Sequence, residues 1–292
     1  MSDQGNGQSI ALADGRRLGF AEYGDLDGLP VFHFHGSAGS RLDRPGRAEI
    51  LQEAGVRFIS VERPGHGLSD FLPKRRLVDW PADVSQLADW LRLDNFYVEG
   101  HSAGGPYALA CARYLPGRVR AVALVSSAAP MNRPRAFKGL PLPNMALAAS
   151  ARWAPPLTGL LRWLTLKMLM RDPEQTPRRL MASIPAADKE KLYEQDNLAL
   201  FVQSITEGYR SGWRGVAQDD VIVARDWGLE LGAISVPVDI WHGQADVNVP
   251  FSGAQYLATV LPMARTFFLP GEGHFFILGR WREILTMLVS QG

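Results

Sequence analysis

The fold of this chain is decided by one stretch, Val98-Glu99-Gly100-His101-Ser102-Ala103-Gly104-Gly105. Residues 95–98 are aromatic and β-branched, which predicts a short buried strand, and residues 106–115 are rich in Ala and Leu, which predicts a helix. A strand that passes at once into a helix needs a sharp turn, and two glycines without a Cβ allow it. Ser102 is expected at the apex, beside the helix-opening N–H of Ala103, in the arrangement called a nucleophile elbow. The alternative is a glycine-rich turn with a serine N-cap.

The composition is that of an ordinary globular protein. The chain has 292 residues, of which 46% are hydrophobic and 21% charged, so it can bury a large core. Because the formal net charge is only +1, we expect no nucleic-acid partner. The basic clusters Lys74-Arg75-Arg76 and Arg178-Arg179 are short and are interpreted as solvated surface. Cys111 is the single cysteine, so no internal disulfide and no oxidising compartment are implied.

Targeting and membrane-spanning signals are not expected from the sequence. Residues 1–8 are polar and glycine-rich and lack the basic and apolar segments of a signal peptide. No run of eighteen apolar residues occurs, so no membrane span is expected. These observations favour a cytoplasmic protein.

Strands and helices alternate in both outer parts of the chain. Residues 8–23 predict a hairpin that turns at Asp14-Gly15, and buried strands are expected at 30–34, 56–61 and 119–125, with a helix over Val78–Leu93. The alternation resumes with strands at 236–241 and 265–269 and helices at 252–261 and 281–289. Such alternation predicts a mostly parallel sheet with helices on both faces, whose ligands bind at the carboxyl ends of the strands.

The alternation of strands and helices is interrupted in the segment 130–231. It shows no clear buried strand, is apolar and is divided by prolines, among them Pro134, so we interpret it as an inserted helical cap. The core domain then comprises 1–129 and 232–292. The apolar run from Leu157 to Met170 could instead form a helix on a membrane surface, but it carries only two charges, Arg162 and Lys167, so packing in the core or in a lid is the favoured interpretation.

Candidate catalytic side chains lie in the loops after the predicted strands. A serine hydroxyl needs a base to take its proton, and the base needs a third group to orient it. Asp246 and His274 follow the last two strands, and the chain order Ser, Asp, His is the order found with this elbow. Glu272 is the runner-up acid. The small residues after the strand at 30–34 suggest that the N–H of Ser37 pairs with that of Ala103 to hold an oxyanion; a flexible turn is the alternative.

Other histidines and acids are less well placed by the sequence. His66 is expected to be structural, His242 to bond locally, and the His101 side chain to point away from that of Ser102. His33 is expected on the opposite face of its strand from Phe32 and Phe34. No metal site is expected, because the six histidines are scattered without ligand spacing.

The chain resembles the α/β-hydrolase family, specifically its capped serine members, over roughly residues 8–129 and 232–292. The resemblance is carried by His35-Gly36 and by the runs 63–69, 100–105, 242–246 and 271–274. It implies Ser102 as nucleophile, His274 as base, Asp246 as orienting acid, and an oxyanion hole from the N–H groups of Ser37 and Ala103. The segment 130–231 matches only in position, so no substrate identity is implied.

One residue departs from the family pattern. Glu99 stands where an apolar residue is more usual, and it is interpreted either as a buried acid with a partner or as a group that biases the pocket. The expected function is a cofactor-independent serine hydrolase that cleaves a carboxylic ester of a small to medium hydrophobic substrate. Thioesterase, lactonase, aminopeptidase or carbon–carbon bond hydrolase activity uses the same machinery, and a ligand receptor on this fold is an alternative from another class.

Overall fold

The computed structural model describes residues 7–132, 136–180, 184–194 and 196–291. The interpretations of residues 1–6 and of Pro134 therefore lie outside the described residues. Within these ranges eight strands form one sheet. In chain order they are β1 (Gln8–Ala11), β2 (Arg17–Gly24), β3 (Leu29–Phe34), β4 (Val56–Val61), β5 (Phe96–His101), β6 (Val119–Val125), β7 (Val238–Gly243) and β8 (Ala264–Leu269).

The sheet is mostly parallel, as predicted. The spatial order of its strands is β1-β2-β4-β3-β5-β6-β7-β8. Only the pairs β1–β2 and β2–β4 are antiparallel among the described strands, and every pair from β4 to β8 is parallel. The carboxyl ends of β3, β5, β7 and β8 therefore lie along one edge, and the loops that carry the candidate catalytic residues follow these four ends.

Eleven α-helices occur in the described ranges, and six of them, α4 to α9, lie between β6 and β7 in the sequence. They are α1 (Glu49–Glu53), α2 (Trp80–Trp90), α3 (Gly105–Tyr114), α4 (Leu142–Trp153), α5 (Pro155–Arg171), α6 (Gln175–Leu180), α7 (Ala186–Tyr193), α8 (Asn197–Gly208), α9 (Arg214–Ala224), α10 (Phe251–Val260) and α11 (Ile277–Val289). We call α4 to α9 the inserted helices. Across the described ranges, no helix combines the length and the hydropathy needed to cross a bilayer.

Several element boundaries differ from the sequence prediction. Helix α2 is shorter than the predicted Val78–Leu93, because Pro81 occupies its first turn and Arg92 leaves the helical region with φ 58°. Strand β7 begins after Pro237, which has no N–H for a sheet hydrogen bond. Strand β5 extends to His101, and α11 begins at Ile277 rather than at Trp281. The short helix α1 was not predicted.

Each face of the sheet carries its own apolar core. Phe32 and Phe34 pack with residues of α2 and α3 on one face, whereas Val31 packs with residues of α11 on the other. His33 shares the second face, where its ring stacks on Phe58 at 5.1 Å, so its predicted orientation is confirmed. The inserted helices join the core through smaller apolar clusters that include Ala38 and Phe275.

Candidate active site

The turn at Ser102 has the geometry expected of a nucleophile elbow. Strand β5 runs into a 3₁₀ turn over Ser102–Gly104, which leads directly into α3. Ser102 has φ 54°, a left-handed conformation that side chains other than glycine rarely adopt. A Cβ on Gly104 would lie 1.9 Å from the carbonyl oxygen of Phe34, so glycine is required where the helix crosses β3. The strand, the turn and the helix thus place Ser102 at the edge of the sheet where the parallel strands have their carboxyl ends.

Asp246 and His274 form a buried hydrogen-bonded pair. His274 Nδ1 lies 2.7 Å from Asp246 Oδ2, and both side chains are buried. Asp246 Oδ1 accepts the backbone N–H groups of Asn248 and Val249 at 2.8 and 2.9 Å. Since the carboxylate accepts a hydrogen bond from Nδ1–H, the lone pair of the neutral ring is on Nε2. The loops after β7 and β8 therefore orient one imidazole with a fixed tautomer.

The electrostatics of this pair favour an ionised acid beside a basic imidazole. Burial acts to raise the pKa of Asp246, but His274 outweighs it and the pKa lies below its ordinary value. Burial acts to lower the pKa of His274, but Asp246 outweighs it and the pKa lies above its ordinary value. The carboxylate is thus charged at neutral pH and stabilises an imidazolium at position 274.

A cavity of about 370 Å³ brings the candidate residues together. Ser37, Ser102, Ala103 and His274 all line it, and Asp246 lies behind His274. Its walls are mostly apolar and come from both the core and the inserted helices. Side chains of the inserted helices that line it include Leu147, Ala148, Leu200, Phe201, Ile205 and Val223. A cavity of this size suits a small or medium apolar molecule.

The segment that carries Ser37 is fixed from two sides. Arg63 donates to the carbonyl oxygens of His35 and Gly36 at 2.6 and 3.0 Å. The Ser37 hydroxyl donates to Asp220 at 3.1 Å and accepts from Arg162 at 3.2 Å, and both of these partners are on the inserted helices. The backbone beside Ser102 is therefore held in place by buried and half-buried charged groups.

A buried cluster around Asp219 was not foreseen from the sequence. Asp219, on α9, accepts hydrogen bonds from Arg63 at 2.5 Å, from Arg75, and from the Tyr107 hydroxyl at 2.9 Å, and His66 Nε2 lies 3.0 Å away. Burial acts to raise its pKa, but the arginines hold the pKa well below its ordinary value. The interpretation of Arg75 as solvated surface is wrong, because its side chain is only 3% exposed within this cluster.

Asp188, on the inserted helix α7, supports the loop that carries His274. Its Oδ1 accepts the backbone N–H of Phe275 at 2.8 Å, and the residue is buried. Its Oδ2 is buried without a hydrogen-bond partner among the described residues. A Cβ on Gly273 would lie 2.3 Å from Asp188 Oδ1, so glycine is needed at that close approach. No local pattern in the sequence indicated this contact.

Glu99 is a buried acid with a partner. Its Oε2 is hydrogen bonded to His33 Nδ1, and His33 Nε2 lies 3.5 Å from Oδ2 of Asp43, which lines the cavity. Burial acts to lower the pKa of His33, but Glu99 and Asp43 outweigh it and raise the pKa to about 9. Burial raises the pKa of Glu99, and His33 opposes that rise. The interpretation of Glu99 as a buried acid with a partner is confirmed. Glu99, His33 and Asp43 form a chain of polar contacts that reaches the cavity at Asp43.

The remaining candidates have other partners. Glu272 lies 3.7 Å from Arg280, and His242 Nε2 donates to the Val249 carbonyl oxygen at 3.1 Å, which is the local bond that was predicted. His66 is buried with its Nδ1 3.1 Å from the Gly39 carbonyl oxygen, as expected of a structural histidine. The His101 side chain, predicted to point away from that of Ser102, nevertheless lies beside another candidate residue. Its ring lines the cavity 5.1 Å from the ring of His274, and burial lowers its pKa to about 3, so it is neutral.

Comparison with known proteins agrees with this architecture. The sequence model of the alpha/beta hydrolase fold family matches residues 30–280. The chain belongs to this family. Among solved structures, an esterase from Exiguobacterium antarcticum superposes with a TM-score of 0.70 at 21% identity, covering 97% of this chain and 98% of that one.

Curated relatives match over a shorter part of the chain or at lower identity. A non-heme chloroperoxidase from Streptomyces lividans is 35% identical over 42% of this chain and 45% of its own, so the chain spans about half the length of that relative. A pimeloyl-[acyl-carrier protein] methyl ester esterase from Aromatoleum aromaticum is 28% identical over 76% of this chain and 81% of its own. The chain is thus similar to proteins named as a chloroperoxidase and as esterases.

Proposed function

We propose that this hydrolase cleaves a carboxylic ester of a small to medium hydrophobic substrate through an acyl-enzyme on Ser102. The single observation that carries the proposal is the 2.7 Å hydrogen bond between His274 and Asp246. His274 lines the same cavity as Ser102, which has the left-handed backbone conformation of the turn. The relatives named esterases point the same way. The mostly apolar walls favour an apolar acyl or alcohol group.

Each group would have a distinct role in the reaction. His274 Nε2 takes the hydroxyl proton as Ser102 Oγ attacks the ester carbonyl, and Asp246 stabilises the imidazolium. The proton then passes to the leaving alcohol as the carbon–oxygen bond breaks, which leaves the acyl group on Ser102. His274 next activates a water molecule, which attacks the acyl carbon, and the acid product leaves with Ser102 restored. No cofactor takes part in this scheme.

The backbone N–H groups of Ser37 and Ala103 would hold the developing oxyanion. Removal of one such donor typically costs about 10²–10³ in rate, so the support that Arg63 gives to this segment matters for catalysis. In this proposal residues 130–231 form a cap over the cavity, and the inserted helices supply its apolar walls.

The proposal is tested with p-nitrophenyl esters of increasing acyl length, on wild type, Ser102→Ala, His274→Ala and the double variant. We expect turnover in wild type, a loss of at least about 10³-fold in each single variant, and no further loss in the double variant, because the groups act as one unit. Labelling of wild type by a fluorophosphonate probe, absent in Ser102→Ala, identifies the nucleophile independently of substrate choice. If wild type showed no turnover and no labelling, a ligand receptor would be favoured. Additive losses in the double variant would contradict the triad.

A further inference from the structure

An apolar face of α5 is exposed rather than buried. Leu157, Leu160, Leu164 and Met168 lie three or four residues apart, on one side of the helix, and are 44–50% exposed. The opposite side, with Thr158 and Leu169, is buried against the neighbouring inserted helices. Single exposed leucines are common in proteins, but a continuous apolar stripe marks an interaction surface.

Tryptophans and cations border this stripe. Trp163 is exposed on α5 with Lys167 Nζ 5.8 Å from its ring centre, and Arg171 is exposed at the end of the helix. Trp153, at the end of α4, is also exposed, with the Arg152 guanidinium 5.7 Å from its ring centre. An apolar centre with tryptophans and cations at its border is typical of a helix that lies in a lipid interface.

The charge of this region is entirely positive. Residues 130–171 contain no Asp or Glu. Arg162 points inward and is paired with Asp220 at 2.6 Å, whereas Lys167 and Arg171 face outward beside the apolar stripe. The next acid along the chain, Asp172, lies 3.5 Å from Arg179. A second copy packed on this face across a two-fold axis would bring like charges together, whereas an anionic lipid surface complements them.

We propose that the outer face of α5 binds the surface of an anionic phospholipid membrane, with Leu160 and Leu164 in the interface and Lys167 and Arg171 against the headgroups. The inner face of the same helix lines the cavity through Arg162 and Thr165. Binding would therefore place one wall of the cavity next to the bilayer, from which an apolar ligand can enter. The inference requires no hydrolysis and is independent of the proposed ester substrate.

The test is co-sedimentation of the full chain with vesicles of phosphatidylcholine alone and of equal parts phosphatidylcholine and phosphatidylglycerol. Wild type is expected to bind the anionic vesicles, and less strongly at high salt. Leu160→Ser/Leu164→Ser should weaken partitioning by about tenfold or more, and Lys167→Gln/Arg171→Gln by about thirtyfold on anionic vesicles only. Ser102→Ala should bind as wild type does, which separates this test from that of the proposed activity.

A matched control is Leu26→Ser/Met263→Ser, which removes two apolar side chains of similar exposure, 43% and 51%, from other parts of the surface. It should leave vesicle binding unchanged. The inference is overturned if wild type binds anionic vesicles no better than neutral ones, or if the control loses as much binding as Leu160→Ser/Leu164→Ser. A dimer in solution that dissociates on Leu160→Ser/Leu164→Ser would also overturn it, because a second copy would then cover this face.

Discussion

Replacement of Asp219 by Asn should destabilise the protein more than most single substitutions. The carboxylate accepts hydrogen bonds from Arg63, Arg75 and Tyr107 in the interior, and the amide keeps its shape but removes its charge. Two buried guanidinium groups are then left uncompensated, a change that typically costs about 3–5 kcal/mol. At about 2.1 cal/mol/K per residue, the 292 residues have an unfolding entropy near 0.6 kcal/mol/K, so a loss of about 4 kcal/mol lowers Tm by about 7 °C.

The assay is thermal unfolding by calorimetry, with Glu283→Gln as the control. That variant breaks an exposed pair with Arg280 and should shift Tm by no more than about 1 °C. The pKa of Asp219 is lower in the folded protein than in the unfolded chain. The contribution of its carboxylate to the free energy of unfolding is therefore fully present above the pKa of the unfolded state, and it is lost as pH falls through the pKa of the folded state. The difference in Tm should therefore be constant between pH 6 and pH 8. If Asp219→Asn lowered Tm by no more than the control does, the carboxylate would not be compensating the buried arginines.

Three further predictions concern the site. Asp246→Asn should lower kcat by about 10⁴-fold because the imidazole loses its fixed tautomer, whereas Glu272→Gln should keep most activity; equal losses in ester turnover would contradict the choice of acid. Asp188→Ala should lower kcat about tenfold and slow fluorophosphonate labelling in parallel, since the Phe275 N–H beside His274 loses its acceptor; unchanged labelling would contradict this role. The raised pKa of His33 gives stability that is present below pH 6.5 and lost as pH rises through about 9. Tm should therefore fall over that range in wild type and less steeply in His33→Gln, and equal slopes would exclude His33 as the titrating group.

Local sequence patterns were enough for the sheet and the turn at Ser102. A strand followed directly by Gly-x-Ser-x-Gly and an Ala-rich helix has few other conformations, because only glycine tolerates the contacts at positions 100 and 104. The placement of Asp246 and His274 also followed from sequence, since the carboxyl ends of parallel strands meet at one edge. Their pairing at 2.7 Å is what the loop positions predicted.

The contacts that acidic residues of the inserted helices make with the core could not be predicted from local sequence patterns. Asp219 and Arg75 are 144 residues apart, and neither lies in a pattern that distinguishes a buried ion pair from two surface charges. Asp188 likewise contacts Phe275 from 87 residues away. Such contacts depend on how α7 and α9 pack on the core.

The amino-acid sequence alone was sufficient to predict the elbow at Ser102 and the two loops that carry Asp246 and His274. These are local features, in which glycine, strand and helix preferences agree over a few residues. Which charged side chains are buried together, and which side of α5 faces outward, became visible only in the folded structure. An apolar helix can be packed or exposed with the same residues, because burial is a property of what lies against the helix and not of the helix alone.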